Sequence, residues 1–555
     1  MFSTEKIKFQ RVIETIFIFL LAFYSLWLMF HTFNYDYAAH KITMSFKVWG
    51  DFGLAIPLIR SFSLGENWPP QYPLYPGEPI KYHFLFFYLV GMLEKWGLPI
   101  HWALNIPSAT GFFAILFGIY SLGKKLFNDK RVGALAVVFF LLNGSLSFIE
   151  WLSKNPFSKI FSTIEYSTAG PWDGNRVISF WHMGVYINQR HFCFALGILL
   201  SLMVLCTYYE TLSRRFKTIS AIVMGLLIGT LLTLHEPVCL MTAITMTIYF
   251  LFFRQLRLYL FCIGVLSLSV MALIYALGGR IQPNLNNIVQ WYPGFTVHDQ
   301  LSFFNVIKFW WFNIGFHLIL IPIGFYFAPK KAKIFLSPAF VIFALGFLVS
   351  FNTDILTNHK FFNFFLILAP LFSAFALFKF SDWFLDKNIS LKILGYSAFT
   401  LILICTTLSG VIDFFGMKNS LITDVPDIVA NPAASWIYTH TPPQAVFLNS
   451  SLFFHPASIA GRKIFEGPHY VTGGPGYDIY KRFGEMTQMY QSKDPKIICD
   501  LMKRNNLTYM TVQDTTKDEY MPKIPVDYFK NNFKADFISP DNSIFIYSVG
   551  QLCGT

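Results

Sequence analysis

Charge is what this sequence has least of. Only 13% of its 555 residues are Asp, Glu, Lys or Arg, about half the share of an ordinary soluble domain. Hydrophobic residues make up 54% and mean hydropathy is +0.48, which excludes a soluble globular protein. Cysteine is scarce as well. The seven cysteines form no CxxC pair and no Cys/His group at zinc spacing, which argues against a structural zinc site. Cys193, Cys206, Cys239, Cys262 and Cys405 lie in apolar segments and read as small core residues. Cys499 and Cys553 lie in the polar C-terminal part and would pair only in an oxidising compartment. There is no HExxH, because Pro237 follows His235-Glu236 at once, so no metal and no cofactor is assigned. The turn at residues 472–476 (TGGPG) lacks Walker or dinucleotide spacing and reads as a connecting loop. No internal repeat is visible. The net charge of +12 comes without a basic helix or binding module, so a nucleic-acid partner is excluded.

What is present is a series of apolar segments. The first, residues 12–33, follows Lys6, Lys8 and Arg11. It is too long for a secretory signal and lacks a small-residue cleavage site, so it reads as a retained span. Others occupy 102–122, 132–148, 191–209, 221–234, 237–253, 258–277, 306–327, 335–351, 361–378 and 393–414. That predicts an α-helical polytopic membrane protein with about eleven spans. Basic residues cluster in alternate loops, as in Lys124/Lys125/Lys130/Arg131, Arg214/Arg215/Lys217 and Lys330/Lys331/Lys333, whereas the intervening loops carry Arg280 or Lys360 alone. This positive-inside pattern puts the N-terminus in the cytoplasm and the C-terminal part outside. It also requires residues 83–96, too short to span, to lie at the membrane surface. The expected division is a membrane domain over 1–415, with a first outer loop at 34–101, and a soluble extracytoplasmic α/β domain over 416–555. In that domain ASWIYTHT and DPKIICDLMKRNN read as helices, and AVFLNSS, LTYMTVQD and SIFIYSV as strands.

The outer loop holds the candidate chemistry. Asp51 opens the stretch DFGLAIPLIRSF, whose Leu54, Leu58 and Phe62 fall on one helical stripe. An acid there is either a helix-start residue favoured by the dipole or a general base for a hydroxyl. Arg60 follows nine positions on. Pro70, Pro73, Pro76 and Pro79 recur at a period of three, which favours an extended polyproline-like arm. Glu78 is a second acid, and Lys81 and His83 close the loop as phosphate ligands or headgroup anchors. Other polar groups gather at the outer ends of spans: Asp173, Arg176, His182, Arg190 and His191; His235 and Glu236; Asp354, His359 and Lys360. Charge at a membrane edge points to function or to snorkelling. Three loops offering cations and imidazoles to one side point to an anionic substrate such as a lipid phosphate.

These residues resemble those of the GT-C integral-membrane glycosyltransferases. The similarity rests on D-F-G at 51–53, I-R-S-F at 59–62, P-x-Y-P at 73–76 and Y-H-F at 82–84. It extends to the second span IPSATGFFAILFGIYSLGKKLF, the NQRHF and NHKFF turns, and the tail from near Trp436. The resemblance implies a GT-C-like fold and a polyprenyl-phosphate sugar donor, carrying a hexose or pentose. The acceptor would be a lipid, glycan or protein hydroxyl. It also implies inverting transfer on the extracytoplasmic face of a bacterial plasma membrane. By position the base is Asp51, with Asp36 the runner-up, while Lys360, His359 and Arg190 neutralise the leaving phosphate. The sequence departs from relatives in carrying Ala55 where a His often follows the acid by four, and no paired acid stands at Asp51. A lipid or solute transporter, or a catalytically inactive relative, is the alternative.

Overall fold

The computed structural model describes residues 2–164, 183–279, 281, 289–294, 297, 300–351 and 358–554, with side chains from residue 9 onward. The chain divides into two compact units. One holds Met1–His31, Ser108–Met271 and Asn287–Leu421; the other holds Thr32–Pro107, Ala272–Asn286 and Ile422–Thr555. The loop at 34–101 therefore groups with the C-terminal tail rather than with the spans expected over 1–415. Ten short strands occur among the described residues: β1 (Phe33–Asp36), β2 (Lys41–Ser45), β3 (Gln290–Trp291), β4 (Val349–Ser350), β5 (Ile422–Pro426), β6 (Val446–Leu448), β7 (Lys463–Ile464), β8 (Tyr509–Gln513), β9 (Phe537–Ile538) and β10 (Ile544–Ser548).

Each of the eleven apolar segments contains a helix. Among the described residues six helices are long and apolar enough to cross a membrane: Phe9–Thr32, Ile100–Leu126, Arg190–Thr211, Arg254–Ala276, Lys330–Leu348 and His359–Phe384. Two bent pairs, Phe303–Ile314 with His317–Phe327 (91°) and Ile389–Cys405 with Leu408–Lys418 (41°), raise the number to eight. The first bend falls at Gly315, whose φ of +53° is open to glycine at little cost. The remaining three segments hold helices of 12, 16 and 17 residues, Lys130–Leu141, Arg214–Gly229 and Glu236–Phe252. By length alone they fall short of the span expected of them. Within this unit helices approach closely where glycine removes the side chain. A Cβ at Gly324 would lie 1.9 Å from the Phe372 carbonyl oxygen, and one at Gly111 would lie 2.5 Å from the Phe194 Cα. This is the small-residue packing that apolar helices need where water supplies no driving force.

The second unit carries two sheets. β1 and β2 form a hairpin, and β5 adds antiparallel to β2 from almost 400 residues away, Lys41 opposite Pro426. The five-stranded sheet runs β7-β6-β8-β10-β9, parallel at β7-β6-β8 and antiparallel beyond. The predicted helices and strands of the tail all form, as Pro432–His440, Pro495–Arg504, β6, β8 and β10. The pattern missed the helix Ile479–Gln491. Its Met486, Met489 and Tyr490 pack with Ile498, Met502, Met510 and Phe545 into the domain core. Cys499 and Cys553 are joined in a disulfide across 54 residues of chain.

Two local expectations for the loop fail. The helix Trp49–Ser63 is not an amphipathic surface element: every residue from Phe52 to Ser63 is buried, because Leu85–Lys95 and Pro456–Ile459 pack against it. The proline arm does not extend. Gln71 bridges back to Pro79, Tyr75 N–H donates to the Tyr72 carbonyl at 3.0 Å, and Gly77 sits at φ +94°. Asn67 fixes the bend by donating to Ser61 Oγ and the Gln71 carbonyl. The helix expected at the membrane surface forms as Leu85–Lys95, eleven residues long.

Candidate active site

The candidate residues fall in both units. Asp51, Arg60, Glu78, Lys81 and His83 lie in the loop-and-tail unit; Arg190, His191, His235, Glu236, His359 and Lys360 lie in the membrane unit. Asp173, Arg176, His182, Arg280 and Asp354 fall outside the described residues.

In the first group Asp51 is half-buried in the opening turn of Trp49–Ser63. Two phenols sense its charge. Burial, and then the Asp51 carboxylate, push the Tyr82 and Tyr470 hydroxyls well above the ordinary tyrosine range. Both therefore stay protonated. Tyr470 donates to the Gly50 carbonyl at 2.7 Å and so holds the backbone beside the acid. Asp36, the runner-up, closes the β1–β2 turn, one carboxylate oxygen accepting from the Ala38 and Ala39 N–H groups at 2.9 and 3.0 Å.

Arg60 and Lys81 are engaged in binding the loop to the tail. Arg60 is 6% exposed. It donates to both oxygens of Asp427 at 3.0 Å and lies 3.3 Å from Glu94. Burial opposes its charge, but Glu94 and Asp427 outweigh that and raise its pKa. Its geometry is that of a structural ion cluster rather than of an anion-binding group. Lys81 pairs with Glu78 at 2.9 Å, donates to the Gly476 carbonyl at 3.2 Å and sits over the Tyr477 ring. His83 is buried with its ring against Tyr82.

The second group converges. Arg190 begins helix Arg190–Tyr208, Glu236 begins Glu236–Phe252 and His359 begins His359–Leu368. Three helix N-termini meet here. Gln189 contacts His359 at 3.4 Å, the His191 and His235 rings are 5.4 Å apart, and Phe192 stacks on His235. His235 caps its helix by accepting from the Val238 N–H. Asn363 holds the other side of His359 at 3.1 Å and is itself held by Tyr186. Arg190 donates to the Ile187 and Met29 carbonyls. Lys360 acts electrostatically on Glu236 and His191. Lys360 thus acts on the Glu236 carboxylate, Arg190 is held on backbone carbonyls, and each helix N-terminus adds about half a positive charge. Helix N-termini beside a lysine are the chemistry that an anion would need. Sequence reasoning found its charged members but missed Gln189, Asn363 and Tyr186. Of the residues around Asp51, Tyr82 opens the Y-H-F motif and Tyr470 belongs to none.

This architecture, apolar helices with an acid-bearing loop and a small α/β tail, is the fold of the GT-C membrane glycosyltransferases. Residues 2–189, the stretch that includes Asp51, match a family described as uncharacterized membrane protein (DUF2298). The chain is similar in structure to ArnT from Cupriavidus metallidurans bound to undecaprenyl phosphate, at 10% identity, 98% coverage of this chain, 99% of that one and a TM-score of 0.51. It is similar also to the arabinofuranosyltransferase AftD from Mycobacteria, at 12% identity and a TM-score of 0.55, covering 96% of this chain and 41% of AftD. No curated protein matches the chain.

Proposed function

We propose that the protein is a membrane glycosyltransferase that moves a sugar from a polyprenyl-phosphate donor to an acceptor hydroxyl, with inversion. The observation that carries this reading is the meeting of three helix N-termini with Arg190 and Lys360. A phosphate monoester suits that charge balance, and ArnT, which shares the fold, was captured with undecaprenyl phosphate. Asp51 accepts the proton of the acceptor hydroxyl as its oxygen attacks C1 of the sugar. The C1–O bond to phosphate breaks, its electron pair passing to the phosphate oxygen, where Lys360 and Arg190 offset the growing charge. A single displacement inverts C1. The Cys499–Cys553 disulfide and the basic alternate loops support an extracytoplasmic tail. A transporter is the weaker reading. It calls for broken helices in matching halves, whereas both bent pairs lie within residues 303–418.

The test is transfer from a panel of radiolabelled polyprenyl-phosphate sugars to endogenous membrane acceptors. Asp51→Asn keeps the shape of the side chain and removes the base. We expect the wild type to transfer and the variant to lose several orders of magnitude in rate while still binding donor. Equal rates would remove Asp51 from the mechanism.

A further inference from the structure

A second cavity lies far along the chain from these residues, in the tail. It has a volume of about 750 Å³, within the range of about 300–1,000 Å³ typical of ligand pockets. It opens at the carboxyl end of β8, between the segment that leaves β8 and the turn that enters β10. Strands β7 and β8 flank β6 on opposite sides, both parallel to it. The strand order therefore reverses at β6, and ligands of open α/β sheets bind beyond the carboxyl ends of strands at such a reversal. Gln513, which lines the cavity, ties it to that point by donating to the Ser450 carbonyl just past β6, at 2.9 Å.

The lining is rich in hydrogen-bonding groups and contains no cation. Asp514 and Asp527 supply carboxylates, Gln513 and Asn542 amides, Thr516 and Ser543 hydroxyls, while the segment 524–526 gives one apolar side. The two cations in this loop, Lys517 and Lys523, act on Asp514 from outside the lining, and Lys523 is bound to the Thr515, Thr516 and Asp518 carbonyls at 2.8 to 3.1 Å. The walls are ordered before any ligand arrives. Asp514 accepts from the Thr516 N–H at 2.8 Å, Thr515 Oγ1 accepts from the Ile524 N–H at 3.0 Å, and Asn542 holds φ +56°. Within the lining itself a phosphate would meet two carboxylates and no cation. A neutral polyol would meet acceptors for its hydroxyls and a face for its C–H groups.

We propose that this cavity binds a neutral glycan. Its service as an acceptor site rests on the transferase reading; the binding itself does not. The test uses the full chain in detergent on an array of immobilised neutral and acidic oligosaccharides, with EDTA and without donor lipid. Two exposed positions are varied. Asp527→Ala removes a carboxylate, and Asn542→Gly removes an amide at a backbone conformation that glycine accepts. We expect retention on at least one neutral glycan, falling tenfold or more in both variants, with their melting midpoints unchanged. Retention on no neutral glycan, or equal retention by wild type and both variants, would overturn the proposal. A chain that binds glycan but transfers no sugar refutes the transferase reading alone. One that transfers sugar but binds no array glycan refutes this proposal alone.

Discussion

Glu466 gives the sharpest quantitative test of the tail. Its side chain is fully buried. One carboxyl oxygen accepts from Thr472 Oγ1 at 3.1 Å, and the other has no hydrogen-bond partner. Burial pushes the carboxyl up to about 8 from the usual 4.5, against the pull of Thr472 and Arg482 and with a push from Asp478. Arg482 cannot turn to it fully, because its guanidinium donates to the Pro76 and Phe465 carbonyls. The folded state thus holds this proton when the unfolded chain has already lost it. Below pH 4.5 the neutral group contributes in full, and stability falls as pH rises toward 8. Between pH 5.5 and 8.5 these two pKa values give a loss of about 3 kcal/mol, roughly a 200-fold change in the opening equilibrium. Glu466→Gln is neutral throughout and removes that slope. The assay is hydrogen–deuterium exchange of peptides covering residues 466–478, read as the ratio of wild type to variant at each pH, which cancels intrinsic exchange. The ratio should rise by about two orders of magnitude over that interval. A ratio constant with pH would show that Glu466 is ionised in the folded protein and refute the argument.

Three other outcomes follow from the same contacts. Asp427→Ala leaves Arg60 buried beside Glu94 alone and should cost about 3–5 kcal/mol, read as a lower melting midpoint of the purified protein. Arg60→Lys should lower it as well, since one ammonium cannot meet Glu94 and Asp427 together as the guanidinium's Nε and Nη2 do. Cys499→Ser with Cys553→Ser opens a 54-residue loop and should cost about 4 kcal/mol by loop entropy; maleimide labelling of intact cells before and after reduction checks that the bond forms. Lys360→Ala should slow transfer about 10²-fold, with Lys360→Arg recovering most of it; a rate unchanged in Lys360→Ala would remove this lysine from the phosphate site.

What could be read from the sequence and what could not divide along a physical line. Apolar runs are a local property, so every expected span contains a helix. Two of the three short ones are bounded by extended backbone, Lys130–Leu141 by Leu142 and Glu236–Phe252 by His235 and Phe253. Alternation exposed β6, β8 and β10 for the same reason. The convergence of Arg190, His235 and His359 was legible because each stands at the end of an apolar segment, and the ends of packed helices come together. Pairings across hundreds of residues left no such trace. Nothing in IRSF says that Arg60 will find Asp427, 367 positions later, and this distant partner is what turns a candidate substrate ligand into a structural cation. The same holds for β5, whose ITDVP shows no strand pattern yet completes the sheet that β1 and β2 begin. The period of three prolines was a correct local preference overruled by Gly77 and by the anchoring of both ends of the bend. Each error in the loop thus has one source: the loop folds on the tail, and the tail's residues, not the loop's own periodicity, decide which faces are buried and which charges are spent. Asp51 is no exception. Half-buried in the first turn of its helix, it acts on Tyr470 of the tail, which in turn donates to the Gly50 carbonyl. The surroundings of that carboxylate too are thus set by a residue some 420 positions away.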